Sequence, residues 1–366
     1  MGRGRRDRVA PECEVPHMSG VSARISSANA AAEATRGVRL VADVGGTNAR
    51  FATVGTTAVD LERIAVLPCA DFPHVKDAID AYLTQHGINS VEGVAMAVAG
   101  PVDGEWIDLP NNRWTFSTRS LEESLGVPLT VLNDFTAQMI SIDALGPDDV
   151  VWLGSPRVTD RGIRAVLGPG TGLGVAMQMP DGQIVPSEGG HVGFAPFNEH
   201  EIDILQTLLG RFSRVSIERV LSGPGLENIF WANHQLVQPD PDGAWGHHSA
   251  RDIGRLAADG DPVAIATIRD FFDIYATFAG DVALHAWATG GVYLSGGVTA
   301  RLADFFDMER FRARFEDKGR FTGFCESVPV ARVNHEYPGL LGCATYMEQS
   351  MRPVAGRERS GAQHRT

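Results

Sequence analysis

The sequence predicts an α/β protein with two related halves, because one local pattern occurs twice along the chain. Residues 38–54 and residues 165–177 each have the pattern of a buried strand, a glycine turn that contains threonine, and a second strand. Between the two copies, at Asn133–Asp134, a strand-like run ends and a helix-like run begins. A duplicated fold can hold a nucleotide between its halves with one such turn from each, so we expect two domains around a cleft.

The composition is typical of a soluble globular protein, with 43% hydrophobic and 21% charged residues in 366. A formal net charge of −13 gives no general attraction for nucleic acid or an anionic membrane, although a local basic pocket is compatible with it. No apolar run reaches the roughly 18 residues of a bilayer-spanning helix. The scattered cysteines, without a C-x-x-C pair, argue against structural zinc and disulfides and favour a reducing cytoplasm; they are Cys13, Cys69, Cys325 and Cys343.

The two ends of the chain differ from the rest. Residues 1–37 are rich in Arg, Ala and Ser, lack a sustained apolar period and contain no apolar segment of the kind a secretory signal needs. We expect a disordered extension, and Met18 is a second possible start of the protein. Residues 351–366 are expected to form a disordered tail.

The first glycine turn follows the predicted strand Val38–Val44 and precedes the predicted strand Ala49–Val54. The two strands joined by Gly45–Gly46 predict a hairpin. Glycines let backbone N–H groups approach an anion without a Cβ in the way, although the turn is also explained by structure alone. Asp43 is a carboxylate in an apolar strand, which is costly without a partner, and a Mg²⁺ ion carried with phosphate would supply one, directly or through water.

The next elements lead to the junction at Asp134. We expect a helix over 71–86, a strand over 91–99, a helix over 117–125, a strand over 129–132 and a helix over 135–145. Ligands of α/β proteins usually bind where strands end, so Asp134 is our candidate for a catalytic base acting on a sugar hydroxyl. Its alternative role is that of a helix N-cap.

The second glycine turn lies in AVLGPGTGLGVAM. It is not a Walker A loop, because no G-K-[ST] follows, and it is not a dinucleotide fingerprint, because Leu173 stands where glycine is required. Glycine content alone is therefore weak support for phosphate binding, and the pair of turns carries more weight. A third glycine turn, Gly296–Gly297, follows the last predicted strand and is a candidate for contact with adenine or ribose.

Two further segments carry polar candidates. Glu188 and His191 flank two glycines, which disfavour a helix, so a loop that presents both to a polyol is favoured over a metal site. Glu218 lies on a predicted short helix that ends at Gly223, and spacing alone favours a solvated side chain. Long helices are expected over 262–287 and 338–351, with a further helix over 305–318.

Taken in order, a set of motifs resembles bacterial glucokinase of the proteobacterial type, in the superfamily of hexokinase, Hsp70 and actin ATPases. The motifs are LVADVGGTNARFA, AGPVDGEW, NNRWTFS, LNDFTA, LGPGTGLGVA, SEGGHVGFAP, ERVLSGPGL, FEDKGRF and PGLLG. The resemblance covers about residues 38–350. It implies a two-domain ribonuclease H-like fold of the actin and hexokinase type, with mixed sheets and an interdomain cleft. The small domain would comprise 38–144 with helix 336–350, and the large domain 145–335.

The family resemblance also implies a reaction and a set of roles. It implies a cytoplasmic homodimer that phosphorylates D-glucose at O6 with ATP and Mg²⁺. Asp134 matches the catalytic base, and an ordinary carboxylate pKa near 4 is adequate for that role. The residues that match sugar ligands are Asn133, Glu188, His191, Glu218 and Asn111. The residues that match the nucleotide site are Ala42, Asp43, Val44, Gly45, Gly46, Thr47, Gly168, Gly170, Thr171, Gly172, Gly296 and Gly297, with Asp43 holding Mg²⁺ through water.

Three other functions compete with this interpretation. A sugar-sensing regulator on the same fold would need a DNA- or partner-binding module, and the N-terminal extension is short and featureless. A chaperone- or actin-like ATPase would not explain the set of sugar-ligand candidates. A kinase for another hexose, or one that uses another phosphoryl donor such as polyphosphate, is separated from a glucokinase only by the closeness of the motif match.

Overall fold

The computed structural model describes residues 37–54, 60–109, 112–154, 162–239 and 246–351. The N-terminal extension up to residue 36, the tail from 352, Cys13 and the predicted sugar ligand Asn111 lie outside these ranges. Within them, none of the helices is long and apolar enough to cross a membrane.

The strands and helices follow one another in α/β order. The strands are β1 (Arg39–Val44), β2 (Asn48–Val54), β3 (Leu61–Pro68), β4 (Val94–Val98), β5 (Trp106–Asp108), β6 (Thr115–Ser117), β7 (Leu129–Asn133), β8 (Val150–Trp152), β9 (Arg164–Pro169), β10 (Leu173–Gln178), β11 (Ile184–Ser187), β12 (Gly291–Leu294) and β13 (Val330–Val333). The α-helices are α1 (Val75–Gln85), α2 (Thr118–Leu125), α3 (Asp134–Ser141), α4 (Glu199–Leu209), α5 (Gly223–Val237), α6 (Ala250–Ala258), α7 (Pro262–Ala286), α8 (Gly297–Arg301), α9 (Met308–Glu316), α10 (Thr322–Ser327) and α11 (Pro338–Met351). The short 3₁₀ turns Gly189–His191 and Ile217–Arg219 bear on the site.

Two mixed sheets organise the described chain. The first has the order β3-β2-β1-β4-β7, in which β1 pairs antiparallel with β2 and parallel with β4. The second has the order β11-β10-β9-β12-β13-β8, in which β9 pairs antiparallel with β10 and parallel with β12. Each sheet therefore contains a strand–glycine turn–strand hairpin beside a parallel strand, which confirms the predicted α/β fold with mixed sheets.

The helix that begins at Asp134 packs against both sheets. Gly174 in β10 lies so close to it that a Cβ there would be 1.8 Å from the ring of Phe135. On the other side, a Cβ at Gly342 of α11 would be 1.8 Å from the carbonyl oxygen of Ala137. Only glycine fits at these two positions without a shift of the helices, so the sequence places α3 between the two halves.

The main core lies under the second sheet, where the long helix α7 is almost fully buried. Asp261 caps this helix through the backbone N–H of Ala264, and Pro262 begins it. Phe271, Tyr275 and their neighbours pack against the sheet and α9. The burial of so many aromatic and aliphatic side chains makes this half a rigid support for the turns at its strand ends.

Several elements differ from the sequence predictions. The helix predicted to end at Gly223 is wrong in extent: a 3₁₀ turn holds Glu218, and a new helix, α5, begins at Gly223 with Ser222 as its N-cap. The helix predicted over 71–86 begins later, at Val75. Strands β3, β11 and β13 and helices α6 and α10 were not predicted, because short buried or amphipathic segments lack a distinctive local period.

Candidate active site

The junction of β7 and α3 holds its polar groups in a closed set of hydrogen bonds. Asn133, and not Asp134, is the N-cap: its Oδ1 accepts from the backbone N–H of Phe135 at 3.0 Å and of Thr136 at 3.1 Å. Its Nδ2 donates to the carbonyl of Gly100 at 3.1 Å and to Asp134 Oδ1 at 3.1 Å. This frees Asp134 from the capping role that the sequence left open for it.

The second oxygen of the Asp134 carboxylate has no protein hydrogen bond among the described residues, whereas Oδ1 also accepts from Phe135 N at 2.9 Å. Burial and the negative charge of Asp43 raise the pKa of Asp134 to about 7, against the lowering effect of the hydrogen bonds. The pKa of Asp134 is therefore raised above the ordinary carboxylate value near 4, which would itself be adequate for a base. A carboxylate with a pKa near the operating pH is well suited to accept a proton.

Asp43 has a partner that the sequence analysis did not name. Arg50 stands opposite it in the β1–β2 register, and its Nη1 lies 3.4 Å from Asp43 Oδ2. Burial still raises the pKa of Asp43, although Arg50 opposes this effect. The carboxylate also lies against the start of α11, where a Cβ at Gly339 would be 2.9 Å from its Cγ. Two half-buried carboxylates, Asp43 and Asp134, thus share one region and destabilise each other's charge.

The turn between β1 and β2 is held from behind by two side chains that sequence reasoning missed. Asn112 Nδ2 donates to the carbonyl of Gly45 at 3.2 Å, and Cys69 Sγ lies 3.7 Å from the same oxygen. The backbone N–H of Cys69 donates to the carbonyl of Thr47 at 2.9 Å. These bonds connect segments far apart in the sequence, so no local pattern could have predicted them.

The second and third glycine turns touch each other. A Cβ at Gly168 would lie 2.7 Å from the backbone of Ser295, and a Cβ at Gly296 would lie 2.5 Å from the carbonyl oxygen of Pro169. Gly296 has a φ of +92°, which favours glycine. Ser295 also donates to Gln138 Oε1 at 2.6 Å, which links this pair of turns to the helix that carries Asp134.

Glu218 is fixed beside the second glycine turn. Its Oε2 accepts from the backbone N–H of Leu173 at 2.9 Å, and a Cβ at Gly172 would lie 2.5 Å from the same oxygen. In addition, the backbone N–H of Gly223 donates to the carbonyl of Gly170 at 2.8 Å. The interpretation of Glu218 as an ordinary solvated helical side chain is therefore wrong, because its carboxylate accepts a hydrogen bond from the residue that directly follows the predicted phosphate loop.

Glu188 and His191 lie on a turn with a fixed backbone and open side chains. A Cβ at Gly190 would lie 2.2 Å from the carbonyl oxygen of Leu173, so the turn is pressed against β10. Arg214 Nη2 donates to the carbonyl of His191 at 2.7 Å. The side chains of Glu188 and His191 are 79% and 60% exposed, and they lie 3.7 Å apart. Both are therefore available to a ligand.

The structure brings the predicted residues together in groups. The first group consists of Asp43, Asp134 and the first glycine turn. The second group consists of Glu218 and the second glycine turn, which in turn contacts the third glycine turn. The turn of Glu188 and His191 packs on β10 and on the turn that holds Glu218. Among the described residues, no group of three or more His, Cys, Asp or Glu side chains is placed to hold a metal ion.

Two mixed sheets with glycine turns at their strand ends, and a helix that begins with a carboxylate between them, form an α/β architecture of the actin and hexokinase type. A sequence model of the family described as glucokinase matches residues 40–350, which is most of the chain. A glucokinase of Chromohalobacter salexigens is 40% identical over 307 residues, which are 83% of this chain and 95% of that protein. The chain belongs to the glucokinase family.

Solved structures show the same architecture. A glucokinase from an Antarctic psychrotroph has a TM-score of 0.74 and 31% identity, and the match covers 85% of this chain and 99% of that chain. A ROK-family glucokinase from Streptomyces griseus, crystallised with glucose and AMPPNP, has a TM-score of 0.61 and 22% identity over 86% of this chain and 100% of that chain. The second likeness shows a common fold only.

Proposed function

We propose that this enzyme transfers the γ-phosphoryl group of ATP to the 6-hydroxyl of D-glucose, with Asp134 as the general base. The observation that carries the proposal is the position of Asp134 at the end of β7, on a helix packed against both sheets, with one carboxylate oxygen unbonded by the described protein. The family membership of the chain and the AMPPNP and glucose in the Streptomyces griseus enzyme support the choice of substrates.

The proton and the electron pairs are accounted for by one displacement. The oxygen of the 6-hydroxyl attacks the γ-phosphorus, its proton moves to Asp134, and the bond between the γ-phosphorus and the bridging oxygen breaks to release ADP. The hydrogen bonds from Asn133 and Phe135 hold the carboxylate in position throughout. Because little covalent chemistry is required of the protein, alignment and charge neutralisation provide most of the acceleration.

Sugar recognition is assigned to the side chains near the second turn. Glu188 and His191 are exposed and adjacent, and the Glu218 carboxylate keeps acceptor capacity beyond its bond to Leu173. Asn133 already uses its amide in the N-cap and in two further bonds, so its role toward sugar is chiefly to hold Asp134. A site built to bond hydroxyls discriminates against analogues that lack them.

The phosphates are assigned to the glycine turns of residues 42–47 and 168–172, and the adenosine to the turn of residues 296–297. Mg²⁺ carried with ATP would be held by Asp43, through water, where its charge would relieve the repulsion between Asp43 and Asp134. Oxygen donors are what Mg²⁺ prefers, and the pKa of Asp134, raised by burial and by the charge of Asp43, marks a pair of carboxylates whose charges a divalent cation would neutralise. When bound, the ion supplies neutralisation of phosphate charge.

We further propose that glucose draws two domains together around α3, with 38–144 and helix 336–350 on one side and 145–335 on the other. The close packing of α3 on both sheets supports a hinge at this helix. A cytoplasmic homodimer is the assembly that the family resemblance favours.

The test is a coupled assay of ADP release with Mg-ATP and a panel of hexoses, with polyphosphate as an alternative donor. We expect glucose-dependent turnover that falls by roughly 10² to 10⁴ in Asp134→Asn, while glucose binding by calorimetry changes little. ADP release that does not depend on sugar would instead establish an ATPase. Turnover within a few-fold of wild type in the mutant would remove Asp134 from the role of base.

A further inference from the structure

Tyr275 of the long helix α7 donates a hydrogen bond to the end of strand β9. Its hydroxyl lies 2.8 Å from the carbonyl oxygen of Leu167, and its side chain is fully buried. Burial raises the pKa of Tyr275, so the hydroxyl stays protonated and remains a donor at every working pH. A buried tyrosine hydroxyl usually finds a partner, so this bond alone is what an ordinary core residue would make. The position of its acceptor is what distinguishes it.

The carbonyl of Leu167 is the point from which the second and third glycine turns diverge. It also accepts from the backbone N–H of Ser295 at 2.9 Å, at the end of the parallel pairing between β9 and β12. Gly168 directly follows Leu167 and begins the second turn, and Gly296 directly follows Ser295 and begins the third. Tyr275 therefore connects a third element, helix α7, to the origin of both turns.

Beyond this carbonyl the two turns touch each other through their backbones. A Cβ at Gly168 would lie 2.8 Å from the backbone nitrogen of Gly296, and a Cβ at Gly296 would lie 2.5 Å from the carbonyl oxygen of Pro169. Contacts this close leave no room for a side chain between the turns. The offset of one turn from the other is therefore set by the two backbones and by the groups that hold them from the core side.

The ring of Tyr275 is itself held in place by aromatic neighbours. Phe311 of α9 meets it edge to face, with ring centroids 5.6 Å apart and an angle of 85° between the planes. Phe271, one turn earlier on α7, lies 6.5 Å away by the same measure. A donor whose rotamer is locked by packing on a buried helix fixes its acceptor more strictly than a donor on a loop would.

We propose that Tyr275 is a positioning residue for the nucleotide: by fixing the carbonyl of Leu167, it holds the second and third turns at the offset that lets one nucleotide contact both. This inference rests on the proposed function, which assigns phosphates to the second turn and adenosine to the third. Two binding regions that one ligand spans reinforce each other only when their separation matches that ligand. A mismatch therefore weakens the binding of the linked ligand and leaves the binding of its separate parts unchanged. Tyr275 acts through the backbone of the turns and takes no part in proton transfer.

The experiment compares wild type, Tyr275→Phe and Tyr82→Phe in calorimetric titrations with AMPPNP, adenosine and inorganic tripolyphosphate, each with Mg²⁺. Tyr82→Phe is the matched control, because Tyr82 is also fully buried and its hydroxyl also donates to a backbone carbonyl, that of Arg63 at 2.9 Å, but in the other sheet. Tyr275→Phe keeps the ring and leaves the carbonyl of Leu167 bonded to Ser295. We expect its affinity for AMPPNP to fall roughly three- to tenfold, with the affinities for adenosine, tripolyphosphate and glucose within about twofold of wild type. Tyr82→Phe should leave all four affinities unchanged.

The outcomes separate the inference from the proposed function. Wild-type protein that does not bind AMPPNP would overturn both. An AMPPNP affinity in Tyr275→Phe equal to that of wild type would overturn the inference alone. An equal fall for AMPPNP, adenosine and tripolyphosphate would show that the hydroxyl only maintains the turns, and would also overturn it. Thermal melts of the two variants should show similar small decreases in Tm, and a Tyr275→Phe protein that no longer folds beside a folded Tyr82→Phe would count against the inference in the same way.

Discussion

The junction that holds Asp134 and the turn that holds Glu188 and His191 differ in how far their polar groups are already bonded. Around Asp134 the side chain of Asn133 makes four hydrogen bonds to neighbouring groups, and Asp134 is half-buried. Glu188 and His191 are mostly exposed, and their contact of 3.7 Å is longer than a hydrogen bond. The carboxylate of Asp134 is therefore held in position before a substrate binds. Glu188 and His191, in contrast, would form their hydrogen bonds only when the sugar binds.

This difference predicts that substitutions in the two regions affect different kinetic constants. Asp134→Asn should reduce kcat by roughly 10² to 10⁴ with little change in KM for glucose. Glu188→Gln should mainly raise KM for glucose, by roughly 10-fold or more, because a hydrogen bond from a sugar hydroxyl to a charged acceptor is weakened. Steady-state kinetics on both variants would check the split.

The control for the sugar side is Glu199→Gln, an acidic residue in the first turn of α4 outside the proposed site. It should leave both constants within about twofold of wild type, as surface changes usually do. If Glu188→Gln instead lowered kcat with an unchanged KM, the exposed turn would act in the chemical step and the contrast between the two regions would fail.

The pH dependence of kcat/KM tests the Asp134 region separately, because the pKa of Asp134 is raised to about 7. Asp134 must be deprotonated to accept a proton, so kcat/KM should fall about tenfold for each pH unit below its pKa of about 7. Burial is the larger cause of that value and the charge of Asp43 the smaller one. Asp43→Asn should therefore move the acidic limb to lower pH, but not as far as 4.

Profiles measured from pH 5 to 9 with a non-titrating buffer series would show the limb. The position of the limb is the readout for Asp43→Asn, because its absolute rate also depends on the proposed role toward Mg²⁺. A wild-type kcat/KM with no acidic limb down to pH 5 would show that the pKa of Asp134 is not raised in the free enzyme. A limb that stays in place in Asp43→Asn would remove Asp43 as one of its causes.

A smaller effect on kcat is expected from loss of the hydrogen bond between Ser295 and Gln138, which links the two halves of the protein. Ser295→Ala removes the donor to Gln138, which links the third glycine turn to the helix of Asp134. Because the lost bond is distant from the reacting atoms, we expect a decrease in kcat of about 10-fold or less, from the roughly 0.5–1.5 kcal/mol of one neutral hydrogen bond. Gln138→Glu would retain an acceptor and should be closer to wild type, whereas equal losses in both variants would contradict the role of this bond.

The parts of the structure that could be predicted from sequence are those with a local cause. The hairpin at Gly45–Gly46 and the closing helix at Pro338 follow from glycine turns, strand runs and a proline at a helix start. The sequence does not predict helix α5, because Gly223-Pro224-Gly225 is typical of a helix end. In the structure Ser222 caps this helix and the proline lies in its first turn. The composition of that segment permits both outcomes; in the structure the Ser222 cap and the bond from Gly223 N–H to the carbonyl of Gly170 accompany the helix start.

The chemistry of the site was less predictable than its location. Asp134 stands out in the sequence because it follows a strand, but its pKa depends on burial and on Asp43, which lies 91 positions earlier in the chain. Likewise, the hydrogen bond from the backbone N–H of Leu173 to Glu218 and the hydrogen bond from Ser295 to Gln138 join segments that are distant in sequence. Such long-range effects arise only when the strand ends meet, and a local pattern carries no information about them.

The smallest effect concerns stability, and its sign follows from the same raised pKa. Between pH about 4 and 7 the folded protein retains a proton on Asp134 that the unfolded chain has released, so the free energy of unfolding decreases as pH rises through this window and is level above it. Asp134→Asn removes this penalty. Above pH 7 the inactive variant should therefore melt several degrees higher than wild type, with the difference disappearing near pH 4. Thermal melts at pH 4.5, 6 and 8 measure the trend, with Asp80→Asn, at an exposed position of α1, as control. A variant that melts lower than wild type at pH 8 would show that the Asp134 carboxylate stabilises the junction, and that the prearranged base costs the fold nothing.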